Sequence, residues 1–272
     1  MEVRIDLRKS IPENAEAYYN TAKKSKRKIN GLVKAIEETK GRLEGMPEAD
    51  SEPTQQVIRK KKKKRWFESY RWFTSSDGFL VVGGRDAGSN ESLIKKHLED
   101  RDLVFHAEIQ GAPFFIVKNP DGKEIPENTI LEAAEAAGAY SKAWGRGMGS
   151  CSVYYVNPDQ VSKTPPAGEY LPKGAFMIYG RKNKVHDVEL KVAIGFIVDE
   201  GVETVGGPVS SVESKTGYYA VVGVGDVKSR KLSEDVVKSV LRKTPAEAGA
   251  LIKKTGLDEV QKWIPSGKGR LL

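Results

Sequence analysis

Apolar and charged positions alternate from Val3 to Leu7, the period of a short strand. Ser10, Pro12 and Glu13 then read as a helix start, with a serine cap, proline in the first turn and an acid three residues on. The helix they open is predicted over about 13–43. Ile29, Leu32, Ile36 and Leu43 recur along it at three-four-seven spacing between Lys and Glu, the pattern of a coiled-coil seam. The stretch MPEADSEPTQQ (46–56) has turn formers and no period, and reads as a loop. A second helix, 57–70, antiparallel to the first, is expected to complete a helical hairpin.

Beyond Arg71 the period shortens. FLVVGG (79–84), LVFHAEI (103–109), PFFIVKN (113–119) and SVYYVNP (152–158) read as strands, with a turn at SSDGF (75–79). FMIYGRKN (176–183) and VELKVAIGFIVDE (188–200) read as a strand pair. Helices are expected over 90–99, 128–144 and 233–243, a strand over 218–223 and a short helical tail to Trp263. The alanine run of the 128–144 helix permits close packing, and GRGMGS (145–150) reads as a turn. Strands outnumber helices and most connections are hairpin-length, which predicts an α+β fold. The expected architecture is a coiled-coil hairpin (1–70) projecting from a largely antiparallel or mixed sheet domain (71–204). A small α/β C-terminal unit (205–272) is set off by glycine and proline near 206–208.

Charge changes this picture from fold to partner. Lys and Arg total 45 against 37 acids, a formal net charge of +8, which favours polyanions. Arg59, Lys60, Lys61, Lys62, Lys63, Lys64 and Arg65 form an unbroken cationic run that encircles a helix rather than lining one face. Such a run is either a solvated helix exit or a phosphate contact. Trp66, Phe67, Tyr70 and Trp72 follow it, able to stack on unpaired bases or to dock on the body. Arg85 and Asn90 stand between a strand and a helix, where an anion or a simple helix cap would sit. Arg181, Lys182 and Lys184 occupy GRKNK, read as a hairpin connection.

Other chemistry is thin. No apolar stretch reaches the roughly 18 residues of a membrane span, and MEVRIDLRKS is too polar for a signal peptide. The one cysteine, Cys151, reads as a small core residue. His97, His106 and His186 lack metal-ligand spacing, and neither a phosphate-cradling loop nor a Ser–His–Asp set is evident. The chain is therefore expected to be cytoplasmic, without metal or cofactor, and not an enzyme.

Three ordered stretches carry a resemblance: KKKKKRWFESYRWFTSSDGFLVVGGRDAGSNE (60–91), HAEIQGAP (106–113) and QVSKTPPAGEYLPKGAFMIYGRKN (160–183). Together they resemble the RNA-binding R domain of the NFACT family. Residues 3–29 resemble the segment that opens the family's coiled coil, and GYYAVVGVGDVKSRKL (217–232) with WIPSGKG (263–269) resembles its C-terminal domain, most closely in archaeal members. The resemblance implies ribosome-associated quality control. Family members bind a large ribosomal subunit holding a stalled peptidyl-tRNA and recruit aminoacyl-tRNA to extend the stalled peptide with a C-terminal tail. The implied partners are large-subunit rRNA and tRNA, and the implied RNA contacts add Arg71, His106 and Lys163 to the cations above. The family's N-terminal domain, with its Asp-Arg motif needed for tailing, does not occur in the chain. It is accordingly expected to be a C-terminal half that binds RNA without tailing alone. The alternative is a protein-interaction module, of the kind labelled fibronectin-binding in this family, acting through the coiled coil.

Overall fold

The structure is a computed structural model that describes residues 5–6, 10–44, 65–165 and 170–272. It divides into two compact units, 1–62 and 63–272. In the first, helix α1 runs Ile11–Glu44. Its start is built as the capping residues require: the Ser10 N–H and Oγ both donate to Glu13 Oε2 at 2.8 Å. Ile29, Leu32, Val33 and Ile36 stand exposed along it. Of the strand expected at 3–7 only residues 5–6 are described, and they are in no strand; the hairpin's second arm up to residue 64 lies outside the described residues.

The second unit is α+β. It opens with a 3-10 turn, Trp66–Ser69, and continues through β1 (Arg71–Thr74), β2 (Leu80–Gly83), α2 (Ala87–His97), β3 (Leu103–Ala107), β4 (Phe114–Val117), α3 (Glu127–Ala139), α4 (Lys142–Gly145) and β5 (Ser150–Val156). Then come β6 (Val161–Ser162), β7 (Met177–Ile178), β8 (Asn183–Glu189), β9 (Lys191–Val198), β10 (Val202–Gly207), α5 (Val209–Glu213), β11 (Tyr219–Lys228), α6 (Ser229–Leu241), α7 (Ala246–Ile252), α8 (Leu257–Gln261) and β12 (Lys268–Leu271). A six-stranded antiparallel sheet has the order β1-β2-β4-β3-β5-β8, and a four-stranded one the order β10-β9-β11-β12.

Both faces of the large sheet are covered, which is why FFIV in β4 is an unbroken apolar run, buried throughout. On one face α3 presents Ala133, Ala134, Ala136, Ala137 and Ala139, all buried, and their small side chains let the helix lie close over Phe105, Phe115 and Val153. The same core continues without a break into the second sheet through Ile194, Phe196 and Val222, and on to Leu232 and Val236 of α6. On the other face Leu93 and Ile94 of α2 cover Val82, Val104 and Ile116, flanked by Phe67, Trp72, Phe176 and Ile178.

Three expectations are corrected. FMIYGRKN and VELKVAIGFIVDE are not partners: Met177–Ile178 pairs with Val161–Ser162, Asn183–Glu189 is the outer neighbour of β5, and Lys191–Val198 crosses into the second sheet. Asn183 and Lys184 of GRKNK therefore lie in a strand, and only Gly180 takes a left-handed turn conformation, φ 75°. The boundary set between 204 and 205 falls inside β10, whose sheet draws strands from both sides of it. Glycine and proline there mark close packing, since a Cβ on Gly206 would overlap the Trp263 ring.

Candidate nucleic-acid interface

Antiparallel register brings Phe114, His106, Tyr154 and Lys184 into one cross-strand row over β4, β3, β5 and β8. His106 lies 4.5 Å from the Phe114 ring and 5.7 Å from Tyr154, centroid to centroid. Lys182 Nζ sits 4.5 Å above the Tyr154 ring, a cation–π contact at the surface. Lys184 Nζ pairs with Glu108 at 3.0 Å. Gln160 Nε2 donates to the carbonyls of Tyr179 and Arg181 at 2.8 and 2.9 Å, which fixes the turn carrying exposed Arg181 and Lys182. Burial holds the His106 imidazole down to about 4 and pushes the Tyr154 phenol up to about 12, so both are neutral at physiological pH. His106 Nε2 lies 3.2 Å from the Ala112 carbonyl and serves as its donor in that neutral form.

Lys163 has a different place. Its ammonium donates to Glu91 Oε2 at 2.9 Å and to the Pro172 and Ala175 carbonyls at 3.0 and 2.9 Å, and it lies 4.9 Å from the Phe176 ring centre. All three of its protons are used, so it clamps the 170–175 segment onto α2. Glu91 also accepts from the Gly174 N–H at 2.8 Å and pairs with Lys95 at 2.7 Å. Lys163, then Lys95, then the Gly174 amide hold its carboxyl at about 2. Gly174 has φ 77°, and a Cβ there would overlap the Ala87 carbonyl.

Asn90 is neither the cap nor exposed. Asp86 caps α2, accepting from the Ser89 N–H at 2.8 Å, while Asn90 is buried a turn further on and its Oδ1 accepts from the Phe114 N–H at 3.2 Å. The sequence contains an acid one residue after Arg85 and a serine three beyond it, a capping box that points to Asp86 rather than Asn90.

Trp66 stacks on His97 with ring centroids 4.0 Å apart and planes 11° from parallel, yet remains 40% exposed. The Arg65 guanidinium lies 4.8 Å from the Phe67 ring and pairs with Glu68 at 2.8 Å. Tyr70 is buried in the α2-side core with Phe67 and Trp72 packed beside it, and Phe73 is buried in the α3-side core, so docking accounts for these four. Arg59, Lys60, Lys61, Lys62, Lys63 and Lys64 lie outside the described residues.

Arg71 and Arg85 form a crossed pair where β1 begins and β2 ends. Arg71 Nη1 donates to the Gly84 carbonyl and Arg85 Nη2 to the Tyr70 carbonyl, both at 2.9 Å. Each thus holds the residue preceding the other. The Arg71 guanidinium lies 4.8 Å over the Tyr140 ring. Burial lowers its pKa, Tyr140 opposes this, the Arg85 charge lowers it further and Asp86 raises it.

Tyr154 was missing from the expected contacts. Its signal was present in the alternation of SVYYV, which puts Ser152, Tyr154 and Val156 on one face; what the sequence withholds is the register that sets Tyr154 beside His106.

Residues 69–180 match the family described as NFACT protein RNA binding domain. The chain is 40% identical over 205 residues to the ribosome quality control complex subunit NEMF homolog of Drosophila melanogaster, covering 72% of this chain and 20% of that protein. It is 42% identical over 205 residues to the archaeal Rqc2 homolog aRqcH of Methanocaldococcus jannaschii, covering 73% and 30%. With human NEMF the identity is 38% over 191 residues, 69% of this chain and 18% of that one. The chain thus spans less than a third of the length of these relatives. The C-terminal part of the fibronectin/fibrinogen-binding protein of Streptococcus suis superposes with a TM-score of 0.38 at 20% identity, over 66% of this chain and 77% of that structure, a likeness too small to argue from. The aromatic–cationic row therefore lies on and just beyond a recognised RNA-binding domain, and the chain belongs to the NFACT family.

Proposed function

We propose that this chain is the RNA-binding part of a ribosome quality control factor, contacting ribosomal RNA or tRNA on a large subunit that carries a stalled peptidyl-tRNA. It acts in the cytoplasm by binding rather than by catalysis, and its role in tailing is to help seat the incoming tRNA. One observation carries the reading: Lys182, beside exposed Arg181, is held over Tyr154 on a fixed strand and turn, adjoining the family's RNA-binding segment. Tyr154 is itself buried and serves to hold the cation, and exposed cations fixed on a rigid turn are what an RNA phosphate needs. The basic run at 59–65 adds charge just ahead of that RNA-binding segment in the sequence.

The test is co-sedimentation of the chain with large ribosomal subunits, with and without nuclease. The double variant Arg181→Glu, Lys182→Glu is expected to lose at least ten-fold in binding while keeping its melting temperature. Nuclease-resistant binding that ignores salt and both substitutions would overturn the reading and favour a protein contact.

A further inference from the structure

We infer that the crossed Arg71–Arg85 pair is a second phosphate-binding point, which takes a backbone phosphodiester of the same RNA; this rests on the RNA-binding reading above. Among the described residues the other buried or half-buried cations are mostly answered by acids: Lys118 by Asp102, Lys163 by Glu91, Lys191 by Glu189. Arg71 and Arg85 are not. Among the described residues their guanidinia hydrogen-bond only to carbonyls, and Arg71 Nε, buried, has no partner there. Asp86, next to Arg85 in sequence, favours the Arg71 charge through space but makes no ion pair with either guanidinium, its carboxylate accepting from the Ser89 N–H and Oγ of the α2 cap.

Two guanidinia brought to one corner of a sheet repel, and burying one of them adds a desolvation cost that carbonyl contacts repay only in part. The fold accepts that arrangement and holds it firmly. Arg71 is braced on Tyr140, whose hydroxyl in turn donates to the Trp263 carbonyl at 2.9 Å, while Arg85 stays exposed. A dianionic or monoanionic oxygen group placed against the pair removes the repulsion and meets planar donor forks that suit phosphate geometry. The corner lies at the β1 edge of the large sheet, whereas Arg181 and Lys182 adjoin the β8 edge, five strand steps away. At about 4.8 Å per step this is on the order of 24 Å in the sheet plane. Arg71 packs on Tyr140 at the α3 face whereas Lys182 packs on Tyr154 at the α2 face, so one RNA touches both points only by wrapping over the end of the sheet.

The experiment uses the full chain and total tRNA as probe, titrated between 50 and 200 mM KCl. Each phosphate contact removed flattens the log–log salt dependence by roughly 0.7 to 0.9. Arg85→Gln is expected to weaken binding several-fold and flatten the slope by about that one step. Because Arg71→Gln risks the fold, Arg71→Lys is the second variant: it keeps the charge, loses the fork, and is expected to weaken binding with melting unchanged. Inorganic phosphate, compared with chloride at equal ionic strength, serves as an independent probe and is expected to raise the melting temperature of the parent chain but not of Arg85→Gln. If tRNA binds and both variants retain affinity and slope, the inference is overturned while the functional reading stands. If tRNA does not bind but the phosphate shift appears and vanishes in Arg85→Gln, the anion site stands and the functional reading falls. If neither effect appears, both fall.

Discussion

Two half-buried titratable side chains set opposing pH dependences. Burial depresses His106 to about 4, so the unfolded chain binds the extra proton first, and the stability it contributes is lost as pH falls below about 6.5. Glu135 is raised to about 7, by burial first and then by Glu132 and Glu189, against the pull of Lys191. Its folded form holds a proton that the unfolded form has released, so its contribution is present below about 4.5 and lost as pH rises through 7. Glu135→Gln is therefore expected to gain on the order of 1–2 kcal/mol at pH 8 and little at pH 4.5, read from urea midpoints. Equal midpoint shifts at the two pH values would refute the assignment. At this scale the sequence was informative where identity alone decides: Cys151 is buried, as a lone small thiol suggested. It was silent on Lys163, a cation like any other until Glu91, 72 positions away, meets it.

At the scale of elements, the best-read feature was the start of α1, because Ser10 and Glu13 satisfy each other within one turn. The 170–175 segment is the opposite case. Locally it has one turn, the Ala175 N–H donating to the Pro172 carbonyl at 3.2 Å, and it is held in place by the Glu91 carboxylate, with the Gly174 amide and Lys163 as donors. Glu91→Gln weakens that clamp without touching a core. Faster hydrogen exchange at the Gly174 amide, with the melting temperature within a degree or two of the parent, is the expected result. Unchanged exchange would mean that the Lys163 carbonyl contacts alone suffice. The pairing of β7 with β6 was likewise illegible: two residues per strand leave no period to read, and their partnership is set by this clamp and by the Gln160 contacts to the turn beyond.

At the scale of the second unit, the sheets are two but the core is one. Trp144, fully buried, donates from Nε1 to the Lys268 carbonyl of β12 at 2.6 Å, joining α4 to the last strand. Trp144→Ala is expected to cost about 3–5 kcal/mol. Calorimetry should show one transition moving down in temperature, reporting both sheets together. Two separated transitions would instead restore the boundary expected near 204. Sequence patterning suggested that boundary because glycine and proline punctuate linkers, and it cannot see that Trp263 fills the space left open at Gly206.

The position of β8 has a practical side for anyone trimming this protein. The family's RNA-binding segment ends at residue 180, and the strand that covers β5 begins at 183. A chain cut at 180 keeps SCSVYYV as a bare, aromatic- and valine-bearing outer edge, open to pairing with its own kind, and discards Arg181 and Lys182 with the cover. Precipitation and silence toward RNA in such a fragment describe the cut, and the intact strand order is where the domain's working limit lies.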